Sequence, residues 1–308
     1  MSLTIKALPG GIGAEVSGLD LSGEIPQADQ EALNRAWLEA GILLFRGIGD
    51  SPEKQLMLSR VFGELEVHPI ENIRVEGYPE LIWLSNRKSS QTAPVYHYDG
   101  KATVGRIPWH TDLVYTTTPN RGALLRMLEM PTEGGETGWI DTAAAYDALP
   151  EATRARIEHL KARFSFIADP REMLFGRPDV TRPDESTLEQ EKAFYPDFPD
   201  TVHPLVWVHP VSGRKALCVS PLHLREVLGM DAAEGNALLE ELVAHATREE
   251  FSYVHRWEVN DMVLWDNLRT MHSAFGNPPE ASRLVHRTTL KNDIAMGALM
   301  DEQARQSA

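Results

Sequence analysis

The chain has 308 residues, of which 42% are hydrophobic and 24% charged, an ordinary balance for a globular protein long enough to bury a large core without disulfides. With 30 basic against 45 acidic side chains the net charge is −15, which excludes polyanionic partners: nucleic acid and anionic membrane surfaces are repelled. A lone cysteine, Cys218, excludes internal disulfides and cysteine-rich metal clusters and fits the cytoplasm, while apolar runs such as 42–45 are far short of the roughly 20 residues of a membrane span.

In chain order, residues 12–20 alternate as a strand, and 27–40 read as a helix with Leu33, Ala36 and Trp37 on one face. Residues 42–45 form a short buried strand. Ser51-Pro52-Glu53 opens a second helix, with an N-cap and a first-turn proline, running to about Phe62. Residues 67–109 are rich in turn formers and are expected to be an irregular lid. Strands are expected at 110–118 and 122–129, and helices at 142–149 and 151–162. A second lid is expected at 169–200, which is polar and proline-rich. Strands at 206–209 and 215–219 follow. Residues 232–246 form an amphipathic helix with Leu238, Leu239, Leu242 and Val243 as its stripe. Strands at 251–257, 262–265 and 284–290 precede a polar tail expected to be loose after about residue 295. No repeat or composition shift divides the chain, so one domain over 1–308 is expected. Strands joined mostly by hairpins, with flanking helices outside, point to a mainly β fold.

A metal site in this chain needs nitrogen and oxygen donors, and there are eleven histidines. In His110-Thr111-Asp112, residues two apart on a strand share a face, so both side chains can reach one ion. Two histidines and a carboxylate leave positions open for a chelating co-substrate and O2, as in non-haem Fe(II) oxygenases. The pair alone fits a polar surface strand equally well. His97-Tyr98-Asp99 has the same spacing but lies in the turn-rich stretch before Gly100, where nothing forces its side chains together. Other signatures are absent: Gly10-Gly11-Ile12-Gly13 does not continue as a dinucleotide loop, and neither His-Glu-x-x-His nor Gly-x-Ser-x-Gly occurs.

Trp109-His110-Thr111-Asp112 is followed by Gly134-Gly135-Glu136-Thr137-Gly138-Trp139, then Trp265-Asp266-Asn267, His272, Arg283 and Arg287. With 13–21, 43–47, 62–65 and 286–290, these motifs span nearly the whole chain. Together they resemble the taurine dioxygenase / 2,4-dichlorophenoxyacetate dioxygenase family of Fe(II)- and 2-oxoglutarate-dependent oxygenases. The resemblance implies a double-stranded β-helix (jelly roll), with Fe(2+), 2-oxoglutarate and O2 as cofactor and co-substrates. It implies His110, Asp112 and His272 as iron ligands. Related halogenases lack the carboxylate, so Asp112 favours hydroxylation. Arg283, a planar fork that pairs bidentately with carboxylates, would hold the distal carboxylate of 2-oxoglutarate together with Thr137.

For the primary substrate, an offset of four on a strand brings Arg287 to the same face as Arg283. Where substrates of the family are sulfonates or carboxylates, the matching arginine helps bind the anion. Arg287 can instead brace the iron site. His68, before a proline, matches a substrate-binding histidine, but Glu71 stands where the taurine enzyme has tyrosine, so taurine's amine contacts are not reproduced. Tyr96 and His97 would belong to the lid, where they stack on a substrate or pack on the surface. Leu113 and Val114 would face the pocket. The expected activity is hydroxylation of a small anionic organic substrate, with succinate and CO2 as co-products. Alternatives are another oxidative outcome on this fold, or a metal-holding jelly roll without turnover. The family's habit also implies a homo-oligomer, a dimer or tetramer.

Overall fold

A computed structural model describes residues 2–86 and 94–301, with the side chains of 191 and 192 left aside. Two sheets carry the fold. The larger has eight strands in the order Thr4–Ala7, Ala14–Ser17, Ile42–Phe45, Met262–Asp266, Gly122–Glu129, Leu284–Leu290, Tyr78–Ser85 and Arg74–Val75. The smaller has six: Val180–Thr181, Tyr96–Tyr98, Lys101–His110, Thr270–Asn277, Thr137–Asp141 and Ser252–His255. Trp139 of the small sheet meets Trp265 of the large one with ring centroids 6.0 Å apart, and both are fully buried. This is the expected jelly-roll architecture. The strands Ile42–Phe45 and Met262–Asp266 are buried along their whole length, because a central strand covered on both faces needs no polar side.

Local chemistry sets the helix ends. The helix Gln27–Ala40 stops at Gly41, whose φ of 73° lets its N–H return to the Trp37 carbonyl at 2.7 Å. The helix Pro52–Arg60 starts at Ser51, whose hydroxyl accepts the Lys54 N–H. The helix Ala232–Ala246 buries Leu238, Leu239, Leu242 and Val243 in a core with Phe164, Leu217 and Leu224.

Three expectations need correction. Residues 67–109 are not simply an irregular lid: Tyr78–Ser85 and Lys101–His110 give one strand to each sheet, while 87–93 lie outside the described residues. Their prolines mislead because each sits where the ladder is interrupted. Pro79 lies opposite only the two-residue strand Arg74–Val75, beyond the pairing with Leu284–Leu290. Pro108 lies in a bulge, where Pro108 and Trp109 together oppose Ser273. Residues 110–118 are not a strand: His110 ends one and a turn follows, with Leu113 at φ 55°. The helix expected to 162 stops at Ile157, and Lys161–Phe164 is a strand.

The tail is tied down as far as Leu299. Ala298–Leu299 pairs with Thr201–Pro204, and the Met296 and Gly297 N–H groups donate to the Thr117 carbonyl. The fully buried ring of His203 lies in this layer, with Nε2 3.0 Å from the Thr116 carbonyl. Burial pushes its pKa down to about 4. The unfolded chain therefore binds a proton near pH 6.5 that the folded chain refuses until about pH 4, so stability falls with pH across that window. The expected loss from this residue is at most roughly 3 kcal/mol. Urea midpoints at pH 6.5 and 4.5 check it, because His203→Gln should show a smaller drop than the wild type.

Candidate active site

The strands Lys101–His110 and Thr270–Asn277 pair antiparallel with His110 directly opposite His272. Cross-strand partners lie side by side on one face, and here the two rings are 4.1 Å apart. The bulge at Pro108 and Trp109 gives a second effect. It leaves the Pro108 carbonyl 2.8 Å from His110 Nδ1, a contact that places the proton on Nδ1 and leaves Nε2 as a lone-pair donor.

Asp112 joins them by a route other than strand alternation, for it lies beyond the strand end. Asn267 holds its backbone: Oδ1 accepts the Asp112 N–H at 3.0 Å and Nδ2 donates to the Asp112 carbonyl at 2.9 Å. One amide side chain thus replaces the missing strand neighbour. Asp112 Oδ1 then lies 3.5 Å from His110 Nε2 and 3.7 Å from His272 Nε2. Oδ2 is taken by Arg287 Nη2 at 2.6 Å. Among the described residues, His110, Asp112 and His272 form the one such cluster with a ligand atom of each within 4.8 Å of the others.

The electrostatics suit a cation. Burial pushes the Asp112 carboxyl up, but Arg287, His272 and His110 together outweigh it and hold it well below the usual carboxylate range. Burial and the neighbouring His110 push His272 far down, so its ring is neutral. Two imidazoles and one carboxylate oxygen turned toward the same point form a donor set that fits a divalent first-row metal.

A cavity of 380 Å³ opens beside this cluster and is lined by Ile107, Leu125, Thr137, Trp265, Arg283 and Arg287 among others. Arg283 lines this cavity and is largely buried. Its Nη2 donates to Thr137 Oγ1 at 3.4 Å and its Nε to the Gly135 carbonyl at 3.2 Å. No carboxylate among the described residues pairs with it, and burial pushes its pKa down to about 10. A buried guanidinium left without a counter-charge is a ready anion site. Thr137 Oγ1 also accepts the Trp257 Nε1–H at 3.1 Å. Two donor-only partners use its lone pairs, so its own proton is free to point into the cavity.

The other sequence candidates fall in different places. Leu113 lines a second cavity of 230 Å³ that shares Ile107, His110 and Asp112 with the first. Val114 does not face a pocket: it is fully buried in the helix-side core. Tyr96 is buried on its short strand, and its hydroxyl accepts from Arg182 Nη1 at 3.3 Å. His97 pairs across to Thr181, and neither it nor Tyr96 lines either cavity. His68 Nδ1 accepts the Ile70 N–H, and the ring feels the charge of Arg287 without lining a cavity. Sequence reading missed the rings that wall the second cavity. Tyr115 packs edge-on against Phe166 and Phe198 at 4.9 Å each, and against His223 at 4.8 Å. These residues come from four separate segments, two of them in or beside the segment read as a lid, and share no spacing signal.

Comparison with known proteins agrees with this geometry. The family model "Taurine catabolism dioxygenase TauD, TfdA family" matches residues 4–289. A sulfate ester dioxygenase of Pseudomonas putida, named as alpha-ketoglutarate-dependent, is 31% identical over 96% of this chain and 92% of its own. An alpha-ketoglutarate-dependent 2,4-dichlorophenoxyacetate dioxygenase of Cupriavidus pinatubonensis is 32% identical over 96% of this chain and 100% of its own. The crystal structure of a taurine dioxygenase from Burkholderia xenovorans superposes with a TM-score of 0.75 at 28% identity, covering 97% of both chains. The chain belongs to the TauD/TfdA family of dioxygenases.

Proposed function

We propose that this protein is an Fe(II)- and 2-oxoglutarate-dependent dioxygenase that hydroxylates a C–H bond of a small anionic organic substrate. One juxtaposition carries the reading: a His-Asp-His donor set shares a cavity with a buried arginine that has no carboxylate partner among the described residues. Residues 1–308 are read as one such domain, working in the cytoplasm as a homo-oligomer. The buried free thiol of Cys218 suits that compartment.

In this reading His110, Asp112 and His272 hold Fe(II), and Arg283 and Thr137 hold the distal carboxylate of 2-oxoglutarate. The bound metal supplies the activation of O2, which couples conversion of 2-oxoglutarate to succinate and CO2 with insertion of one oxygen atom into the substrate. The chain's own residues do the placing. Arg287 holds one carboxylate oxygen of Asp112 and so presents the other to the metal. Arg283 and Thr137 fix the co-substrate at one end of its cavity. Trp265 packs against His272 with ring centroids 4.8 Å apart and limits water at the ligand. The aromatic walls of the second cavity suit a substrate with an apolar or aryl body. Arg287 thus serves first as a brace, and its part in binding the substrate's anion is secondary.

Sulfate esters, sulfonates and aryloxyalkanoates are the classes to test, since relatives are named for the first and last. Succinate release from 2-oxoglutarate is measured across these anions and matched neutral compounds. Stimulation by at least one anionic class is expected. Stimulation by neutral compounds alone would overturn the anionic reading.

A further inference from the structure

The second cavity holds a cation that the reading above does not use. Arg106 lies four residues before His110 on the same strand, and Arg106, Pro108 and His110 all line the 230 Å³ chamber. The bulge at Pro108 and Trp109 interrupts strand alternation between them, so it is the chamber itself that brings Arg106 and His110 together. Its carbon sits 4.2 Å over the Tyr98 ring, which holds it in place without neutralising it. Its Nε is buried and makes no hydrogen bond. No acidic side chain among the described residues pairs with it. The nearby Asp169 is engaged by both Nε and Nη2 of Arg171. In a chain of net charge −15, a cavity-lining arginine that pairs with no carboxylate among the described residues is available to a ligand. Arg287, by contrast, is already engaged by Asp112 at 2.6 Å.

We infer that Arg106 is a specificity-determining residue that binds the anionic group of the primary substrate, with the substrate's apolar or aryl body against Tyr115 and Phe166. This rests on the dioxygenase reading in that it takes the chamber beside His110 as the substrate side. The substrate would therefore carry its charge at the end facing Arg106, away from the 2-oxoglutarate cavity.

The test uses two isosteric pairs of probes, phenoxyacetate with phenoxyacetamide and benzenesulfonate with benzenesulfonamide. Dissociation constants are measured by calorimetry on the full-length protein loaded with metal and 2-oxoglutarate under anaerobic conditions. The wild type should bind at least one anion about tenfold or more tightly than its neutral partner, as a charge-assisted hydrogen bond implies. Arg106→Gln should bring that ratio to within about twofold, and Arg106→Lys should restore part of it, which a merely structural role would not do. A ratio that persists in Arg106→Gln overturns the inference. So does a wild type with no preference for either anion, or with no binding of any probe. The dioxygenase reading is scored separately, as succinate formed from 2-oxoglutarate by the wild type with no probe added. Its failure is thus distinguishable from the failure of Arg106.

Discussion

Replacing His272 with alanine is expected to abolish the weak visible band that the wild-type protein develops when Fe(II) and 2-oxoglutarate are added without oxygen. The register explains the size of the effect. His272 faces His110 across the ladder, and no other described histidine, aspartate or glutamate joins that cluster. Loss of one of three ligands should exceed the roughly 10- to 100-fold loss of metal affinity that follows damage to supporting residues. Titration with Fe(II) or Mn(II) measures it, and succinate release should fall with it. His272→Gln, closer in volume, separates ligand loss from the void left beside Trp265. If the wild type itself shows no band, the iron and 2-oxoglutarate assignment fails.

Arg283→Met is expected to raise the 2-oxoglutarate requirement by roughly 30-fold or more, since truncating one partner of a buried charge pair costs about 2–5 kcal/mol. The same change should not weaken the ligand-free protein. Burial lowers the Arg283 pKa from 12.5 to about 10, so at neutral pH the fold carries a charge it disfavours. A base with a lowered folded pKa costs stability at every pH below that value, here at most about 3 kcal/mol. Methionine removes this cost while keeping most of the apolar stem. Thermal unfolding should therefore show an equal or higher midpoint without 2-oxoglutarate, and a much smaller rise on adding it. A variant that loses stability without the co-substrate, yet responds to it as the wild type does, would show that Arg283 is structural. Such opposition between stability and binding is expected where a site holds a charge ready for its ligand.

The sequence was most legible where one side chain has one chemical use. His110, Asp112, His272, Thr137 and Arg283 could all be named from motif and resemblance, and the structure brings all five to one cavity wall. The reason offered for Asp112 was wrong in detail. Strand alternation does not reach it, and an amide from Asn267 does the aligning, which no local spacing encodes. The helices Gln27–Ala40 and Ala232–Ala246 were readable to the residue, since each has a clean apolar stripe. The strands at 78–85 and 101–110 were hidden by Pro79 and Pro108, whose tolerance depends on partners far along the chain. The second cavity was least legible. Arg106, Tyr115 and Phe166 become neighbours only through sheet pairing and the packing of the segment after Phe164.

The strand order also fixes when the site can exist. Met262–Asp266 lies between Ile42–Phe45 and Gly122–Glu129, so the middle of the large sheet is vacant until the last part of the chain has been synthesised. His110 and Asp112 leave the ribosome early, but His272, Arg283, Arg287 and the tail segment at 296–297 whose N–H groups donate to Thr117 all come late. A nascent chain halted before residue 260 therefore has neither a closed sheet nor the third member of the His-Asp-His cluster. The exposed edges of Ile42–Phe45 and Gly122–Glu129 are what must be shielded until Met262–Asp266 arrives between them.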